Sequence, residues 1–278
     1  MSVFLGLDLA WTAYRETGIC AFDDKARVHA LETRVATAEE FADLACSFGD
    51  DVVVGVDAPL VVTSGRSAER AVARAFARFR ASPHQANLAL LQATDRMAGP
   101  GLHAALTARG FRCDPNSLTP RARGRHVMEV YPHAAHVRLF DLRERLPYKR
   151  KKGRSVAFVR TQLCLYQEHL GSLLGRELPA LLEDAAIQAL LAPAAVDCRG
   201  LHLKRLEDML DALTCAWVAW HTWQRGSSGI EVFGDEHGHV VVPRVDRATS
   251  APAPTSPSGP VFAPAIPSLR APAEALPG

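Results

Sequence analysis

The chain has 278 residues, a formal net charge of +2 and 48% hydrophobic residues. This composition suits one large or two small globular domains. No apolar run approaches the roughly 20 residues that a membrane-spanning helix requires, and the amino terminus lacks a basic leader with a small-residue cleavage site. The six cysteines form no C-x-x-C pair, which argues against a disulfide framework and a zinc site. We therefore expect a cytoplasmic protein.

The first fifty-odd residues are predicted to form three strands, a helix and a fourth strand. The turn at Asp23 and Asp24 separates two of the apolar runs, so the first three strands should form an antiparallel meander. Thr37 and Glu40 form a capping box that starts the helix. A right-handed crossover through that helix would place the fourth strand parallel to the first. The predicted strands are residues 3–9, 17–22, 27–35 and 52–56.

Helices dominate the prediction for the middle of the chain. A fifth strand is expected in HVMEVY, ended by Pro132, and a hairpin should follow the last helix. The composition changes near Ala248 to Pro, Ala and Ser, which is typical of a disordered tail. We predict a domain over 1–245 and a tail over 246–278. The predicted helices are residues 66–80, 86–109, 155–174, 178–191 and 203–223, the fifth strand is 126–131, and the hairpin strands are 230–233 and 240–242.

Two aspartates end strands that are otherwise apolar. Asp8 lies in LGLDLAW and Asp57 in VVVGVDAPL, and ligand sites of α/β sheets gather at the carboxyl ends of strands. Gly6 and Gly55 precede them on the same strand faces, which we expect to leave open space beside each carboxylate. Two carboxylates in an apolar setting cost several kcal/mol unless a cation or a proton compensates. The pair therefore indicates a metal site.

The last predicted helix adds two more acidic residues. Asp208 and Asp211 lie three residues apart and share a face. Asp211 is embedded among apolar residues and should point inward, whereas Asp208 has the alternative of an exposed first turn. Glu129 sits inside the fifth strand, where it is either a metal ligand or the partner of a structural ion pair.

Basic residues cluster in RARGR, which ends at Arg125, and in KRKKGR, which runs from Lys149 to Arg154. These clusters are the compositional indication of a polyanionic partner, with solvated loops as the alternative. His133 lies close to the expected site, where a polar rim is the alternative to a metal or general-base role. The three tryptophans of the last helix are expected to pack in the core.

Five motifs together resemble a family of proteins of unknown function, number 429, whose members are regarded as predicted nucleases of the RNase H fold. The motifs are GLDLAW, GVDAPL, EVYPHAA, the pair Tyr148-Lys149 with Arg154 beyond it, and DxxDALTCAW, and they span residues 3–224. The last motif is also similar to a helix of bacterial Holliday-junction resolvases. This resemblance implies an α/β, RNase H-like fold with a mixed five-stranded sheet flanked by helices and a helical insertion.

The resemblance also implies a set of ligands for Mg²⁺ or Mn²⁺. In the resolvases, acidic residues on the first strand, a middle strand and the last helix bind Mg²⁺, and the matching positions here are Asp8, Asp57, Asp208 and Asp211. Asp57 departs from the pattern, because the resolvases have Glu there and an Asp reaches less far. Resolvases are dimers, so a homodimer is an open possibility.

These features lead to the hypothesis of a nuclease that uses two metal ions to hydrolyse phosphodiester bonds. The expected catalytic residues are Asp8, Asp57, Asp211 and Lys149; the expected metal ligands are Asp8, Asp57, Asp208, Asp211 and Glu129; and the residues expected to bind nucleic acid, DNA or RNA, are Arg125, Lys149 and Arg154.

Three alternatives stay open at this point. The first is a non-catalytic module that binds nucleic acid or protein. The second is an ATPase or phosphotransferase of the actin and sugar-kinase type, although Asp8 is followed by Leu-Ala-Trp-Thr rather than by the glycine-containing phosphate loop of such proteins. The third is hydrolysis of a small phosphorylated molecule, because a net charge of +2 does not demand a long polyanion.

Overall fold

A mixed five-stranded sheet forms the centre of the part of the chain that the computed structural model describes, which is residues 1–194 and 198–245. The strands lie in the order β3-β2-β1-β4-β5. A separate two-stranded sheet is the predicted terminal hairpin. The strands are β1 Val3–Asp8, β2 Thr17–Asp23, β3 Val28–Arg34, β4 Val52–Val56, β5 Arg125–Glu129, β6 Ile230–Asp235 and β7 Gly238–Pro243.

The pairing follows the predicted topology. β1, β2 and β3 are antiparallel neighbours, whereas β4 runs parallel to both β1 and β5. All residues of β4, VVVGV, are buried, as expected of a parallel strand that is covered on both faces. The helix before β4 starts at a capping box in which Thr37 and Glu40 bond reciprocally, as the sequence predicts. The crossover through this helix is therefore confirmed.

Helices cover both faces of the main sheet, and several differ from the prediction. The predicted helix over 178–191 is a short 3₁₀ helix, Pro179–Glu183, followed by an α-helix that Asp184 caps. The predicted helix over 86–109 is two helices, because the chain turns between them at Asp95, whose φ is 52°. A short helix that was not predicted begins at Pro132, a residue that favours the first helical position. The helices are α1 Ala38–Ser47, α2 Ala68–Phe76, α3 Leu88–Ala93, α4 Ala98–Ala108, α5 Pro132–Leu139, α6 Val156–Glu177, α7 Ala185–Leu191 and α8 Gly200–Arg225.

The alternation of β1 divides the core into two layers. Phe4 packs in the layer that contains α6 and α8, whereas Leu5 and Leu7 pack in the layer that contains α1 and α4. Because side chains alternate along a strand, Asp8 lies on the same face as Phe4, towards α8. The sheet thus presents its first aspartate to the long last helix.

Residues 1–245 form one compact unit. None of the helices in the described part of the chain is long and apolar enough to cross a membrane. The predicted disordered tail, residues 246–278, lies outside the described residues.

Candidate metal centre

Three carboxylates from three elements meet at one edge of the sheet. Asp8 ends β1 and Asp57 directly follows β4, and the two strands are parallel neighbours. Asp211 comes from α8, which crosses this face. One oxygen atom of each carboxylate lies within 4.8 Å of the corresponding atoms of the other two. The structure therefore brings together three of the acidic residues that the sequence singled out.

Glycines in the sheet allow α8 to approach closely enough to place Asp211 beside the two strand aspartates. A Cβ atom at Gly6 would collide with the carbonyl oxygen of Ala212, and one at Gly55 would collide with that of Cys215. The expectation that these glycines leave open space beside the carboxylates is therefore wrong. The backbone of α8 fills that space, since only a residue without a side chain lets another backbone approach so closely.

Asp211 is buried and held by two tyrosines. The hydroxyl groups of Tyr148 and Tyr166 donate to Asp211 Oδ1 over 2.7 Å and 3.1 Å. Burial alone would raise the pKa of Asp211, but the Lys149 ammonium and the Tyr148 hydrogen bond hold the pKa below its usual value. These contacts therefore favour the ionised form of Asp211.

Lys149 is shared between two of the carboxylates. Its Nζ atom lies 2.8 Å from Asp211 Oδ2 and 3.7 Å from Asp57 Oδ2. Arg154 donates to the carbonyl oxygens of Pro147 and Lys149 over 3.1 Å and 2.8 Å. The side chain of Arg154, which was expected to bind nucleic acid, therefore holds the loop that carries Lys149.

Asp208 lies beside this cluster, on the preceding turn of α8. It forms an ion pair with Lys204, whose Nζ atom also lies 3.1 Å from Glu207 Oε1. Burial and the Asp8 carboxylate raise the pKa of Asp208 to about 9, with Lys204 opposing them. Asp208 is thus close to Asp8 but outside the group of three.

The cations of the protein do not offset the negative charge of the cluster. Burial raises the pKa of Asp57 well above its usual value, and the carboxylates of Asp8 and Asp211 add to that effect while Lys149 opposes it. A site of this kind binds either protons or a further cation. Carboxylate oxygens are hard ligands that suit Mg²⁺ and Mn²⁺, so the donor set fits the expected metal.

A cleft of about 830 Å³ opens onto the carboxylates. Asp8, Asp57 and Lys149 are among the residues that line it. Trp11 also lines the cleft, with the Arg96 guanidinium 5.9 Å from the centre of its ring. A ligand in the cleft would therefore reach Asp8 and Asp57 directly, while Asp211 stays buried behind them.

Glu129 belongs to a different group, although it ends the neighbouring strand β5. Both of its oxygens are bound by Arg66, through Nη2 over 2.6 Å and Nη1 over 3.1 Å, and the Leu60 amide donates to it over 3.1 Å. Burial raises the pKa of Glu129 to about 7, and Arg66 opposes that rise. Of the two roles left open for Glu129, the structure shows the ion pair.

Arg125 lies at the opposite end of the sheet from the carboxylates. It starts β5 beside Val52, the first residue of β4, whereas Asp57 follows the last residue of β4. Its guanidinium lies 2.9 Å from Asp50 Oδ1. The expectation that Arg125 neutralises a phosphate at the carboxylate site is wrong, because parallel strands carry their first residues to the far edge.

The histidines near β5 are buried side chains of the core. His136 Nε2 lies 3.2 Å from Thr214 Oγ1, and burial lowers the pKa of His136 to about 3. Burial also lowers the pKa of His133 well below its usual value, and the Lys149 ammonium adds to that effect. Both imidazoles are therefore neutral. Trp217 is buried in the core, as predicted.

Several residues that build this site had no predicted role. Tyr148 stands in one of the matched motifs, next to Lys149, but a tyrosine in a loop has no periodicity that reveals its partner. Tyr166 and Lys204 lie on helices, and Arg66 precedes one. Contacts between distant segments define Tyr148, Tyr166 and Arg66, whereas Lys204 pairs with Glu207 and Asp208 of its own helix, a spacing that the sequence does contain.

The comparisons with known proteins are limited to one family. The model of a family described as "Protein of unknown function (DUF429)" matches residues 6–237. The match includes Asp8, Asp57 and Asp211. No curated protein and no solved structure shows a significant match to the chain. Since the family model covers most of the chain, the resemblance is confirmed, and the chain belongs to the DUF429 family of proteins of unknown function.

Proposed function

We propose that the protein is a metal-dependent nuclease with an RNase H-like fold, which hydrolyses phosphodiester bonds of DNA or RNA. One observation carries the proposal: carboxylates from the first strand, the fourth strand and the last helix converge within 4.8 Å of one another. The cleft of about 830 Å³ gives a polymer access to them.

The topology supports the fold assignment. Three antiparallel strands, a crossover helix and a parallel strand beside the first give the order β3-β2-β1-β4-β5. A mixed five-stranded sheet flanked by helices is what the resemblance to RNase H-like proteins implies. The acidic residues stand at the ends of β1 and β4, where ligand sites of α/β sheets gather.

The residues of the cluster would hold Mg²⁺ or Mn²⁺, with two ions expected. Asp8, Asp57 and Asp211 would be the ligands, and Asp208, beside Asp8, would complete the coordination. A bound divalent metal supplies an activated water and stabilises the charge that develops on the phosphodiester.

The side chains of the protein would position that chemistry. Tyr148 and Tyr166 fix the orientation of Asp211, as outer partners of a ligand do in metal sites. Lys149, now paired with Asp211 and Asp57, would turn to a phosphate oxygen of the substrate when metal takes over the carboxylates. Asp8 and Asp57 face the cleft, so the substrate would approach from their side.

A second candidate function is a non-catalytic binding module, and one observation favours it. The Lys149 ammonium, 2.8 Å from Asp211 Oδ2, already provides a cation at the cluster. In such a module Lys149 would be a permanent structural partner of the carboxylates, and the cleft would bind its ligand without metal.

Cleavage assays distinguish the two candidates. Purified protein would be incubated with single-stranded, double-stranded and branched DNA and RNA, in Mg²⁺, in Mn²⁺ and in EDTA. We expect metal-dependent cleavage that Asp8→Asn and Asp211→Asn reduce at least about 100-fold, because losing a ligand costs more than losing an outer partner. Asp50→Asn, at the far end of the sheet, is the matched control. If Asp8→Asn cleaves as fast as the parent, the proposal fails.

A further inference from the structure

A second, smaller pocket adjoins the cleft and has some of the same lining residues. Its volume is about 190 Å³, and it shares Asp57 and Lys149 with the cleft. Its remaining lining includes Arg145, Lys151 and His133. A ligand that fills this pocket would therefore touch the same two residues that face the larger cleft.

Two of the cations that line the pocket, Arg145 and Lys151, have no carboxylate partner among the described residues. The two glutamates in its wall, Glu69 and Glu129, are both bound by Arg66. Asp57 is the remaining acidic residue there, and it lies near Lys149. Arg145, which is hydrogen-bonded to Tyr131, and Lys151 consequently line the pocket without a carboxylate partner of their own.

The positive charge at the pocket affects the pKa of a neighbouring group. Burial lowers the pKa of Lys151, and the nearby cations Arg145, Arg154 and Lys149 lower it further. His133, which lies at the pocket, is 8% exposed, and its Nδ1 atom is buried without a hydrogen-bond partner among the described residues. Buried polar atoms are normally satisfied, so the pocket has unused hydrogen-bonding capacity as well as unused charge.

We propose that this pocket binds a terminal phosphate group, the phosphomonoester at the end of a nucleic acid strand. Arginine suits phosphate because its planar fork donates two parallel hydrogen bonds, and lysine adds a point charge. A pocket of about 190 Å³ accommodates a phosphate group but not a stretch of duplex. That the phosphate belongs to a nucleic acid rests on the proposed function, whereas the anion site itself does not.

The position of the pocket gives this site a consequence for the substrate. Since Asp57 and Lys149 line both spaces, a strand whose terminal phosphate occupies the pocket would present its adjoining backbone to the carboxylates. The site therefore favours cleavage near a phosphorylated end over cleavage within a long duplex.

Binding measured without metal tests the site separately from cleavage. One short single strand would be prepared with a 5′-phosphate, with a 3′-phosphate or with hydroxyl groups at both ends, and its fluorescence anisotropy would be followed in EDTA. We expect the parent to bind one phosphorylated form about tenfold more tightly than the hydroxyl form, as one or two charge-assisted hydrogen bonds allow. Inorganic phosphate should compete with that form.

Paired variants locate the effect. Arg145→Gln and Lys151→Gln should each abolish the preference, whereas the nearby exposed controls Arg143→Gln and Lys152→Gln should retain it. Thermal unfolding of each variant verifies that it is folded.

The outcomes separate the two proposals. Equal affinity for all three strands without competition by inorganic phosphate, or a preference that the controls lose equally, would overturn the phosphate site even in an active nuclease. Competition by inorganic phosphate without a preference for either phosphorylated strand would overturn the assignment to a strand end. A preference in a protein that never cleaves would support the pocket while refuting the nuclease.

Discussion

The two ends of the main sheet differ in how their acidic residues are paired with basic ones. At the end where β1, β4 and β5 begin, three aspartates each pair with an arginine of their own, and a fourth, Asp24, accepts a hydrogen bond from the Ser2 amide. At the end where β1 and β4 finish, Asp57 and Asp211 share Lys149. The pairs at the first end are Asp23 with Arg27, Asp50 with Arg125 and Asp51 with Arg123, each at 2.9 Å.

The difference separates structural carboxylates from candidate ligands. Asp23 is fully buried, yet the amides of Lys25 and Arg27 and the side chains of Arg27 and His29 bond to it. Burial raises the pKa of Asp57, and its carboxylate neighbours raise it further. A buried acid with its own donors stabilises the fold, whereas acids that face each other need a cation from outside. Glu129 shows that the distinction is local, because Arg66 satisfies it close to the site.

The largest effect on stability should come from adding a side chain to the sheet where α8 packs against it. Gly6→Ala would force the new methyl group against the Ala212 carbonyl, and we expect a loss of about 3 kcal/mol or more in the free energy of unfolding. Gly171 in α6 is the control, since a Cβ atom there meets nothing within 4 Å. Gly171→Ala should stabilise the protein by about 0.5–1 kcal/mol. Urea denaturation measures both, and an unchanged midpoint for Gly6→Ala would contradict the close approach.

Removing the charge of Asp23 should lower the free energy of unfolding without changing metal binding at the other end of the sheet. Asp23→Asn loses charge-assisted hydrogen bonds, so we expect a loss of about 2 kcal/mol at neutral pH. The donors of Arg27, Lys25 and His29 outweigh burial and hold the pKa of Asp23 below its usual value of 3.8. The stabilisation is therefore present above that value and is lost as the pH falls through the lowered pKa.

The measurement for Asp23 is urea denaturation of the parent and the variant from neutral to acidic pH. The difference in unfolding free energy between them should shrink as the pH falls. A constant difference would show that the ionised carboxylate is not the cause. Titration of Mg²⁺ should give the same affinity for both proteins, and a loss of metal binding in Asp23→Asn would break the comparison between the two ends.

A smaller effect is expected from the hydroxyl group that orients Asp211. Tyr148→Phe removes the 2.7 Å hydrogen bond to Asp211 Oδ1 and leaves that of Tyr166. We expect about tenfold weaker binding of Mg²⁺, as is typical for the loss of an outer partner of a ligand. Calorimetric titration measures it, and an affinity equal to that of the parent would show that Asp211 needs no such support.

The smallest effect should come from Arg125. Arg125 forms an ion pair with Asp50, whose side chain is 94% exposed. Exposed ion pairs contribute about 0.5 kcal/mol or less to the free energy of unfolding. Arg125→Gln should therefore leave both cleavage and stability close to those of the parent. Lys149→Gln, at the other end, should reduce cleavage. Comparable losses of cleavage in the two variants would contradict the placement of Arg125.

The sequence predicted the elements whose apolar pattern is continuous. The buried run of β4 and the capping box of Thr37 fixed the crossover, and the aspartates that end β1 and β4 indicated the site. The apolar pattern did not predict the turn at Asp95 that divides one predicted helix. It also could not predict contacts between residues distant in sequence, such as the tyrosines that bind Asp211 and Arg66 that binds Glu129. The glycines of β1 and β4 were noticed but misinterpreted, because their partner is a backbone distant in sequence.

Several expectations stay predictions. They are the nuclease activity, the two Mg²⁺ or Mn²⁺ ions, the nucleic acid partner, the cytoplasmic location, the domain boundary at 245 and the homodimer.

The most direct test of the central claim is calorimetric titration of Mg²⁺ and Mn²⁺ into metal-free protein. The parent should bind, and Asp8→Asn, Asp57→Asn and Asp211→Asn should each weaken binding at least about 100-fold. Glu129→Gln, which removes an acid that Arg66 already binds, should bind metal as the parent does. Absence of binding in the parent would contradict the account and would assign the carboxylates and Lys149 to a binding module without metal.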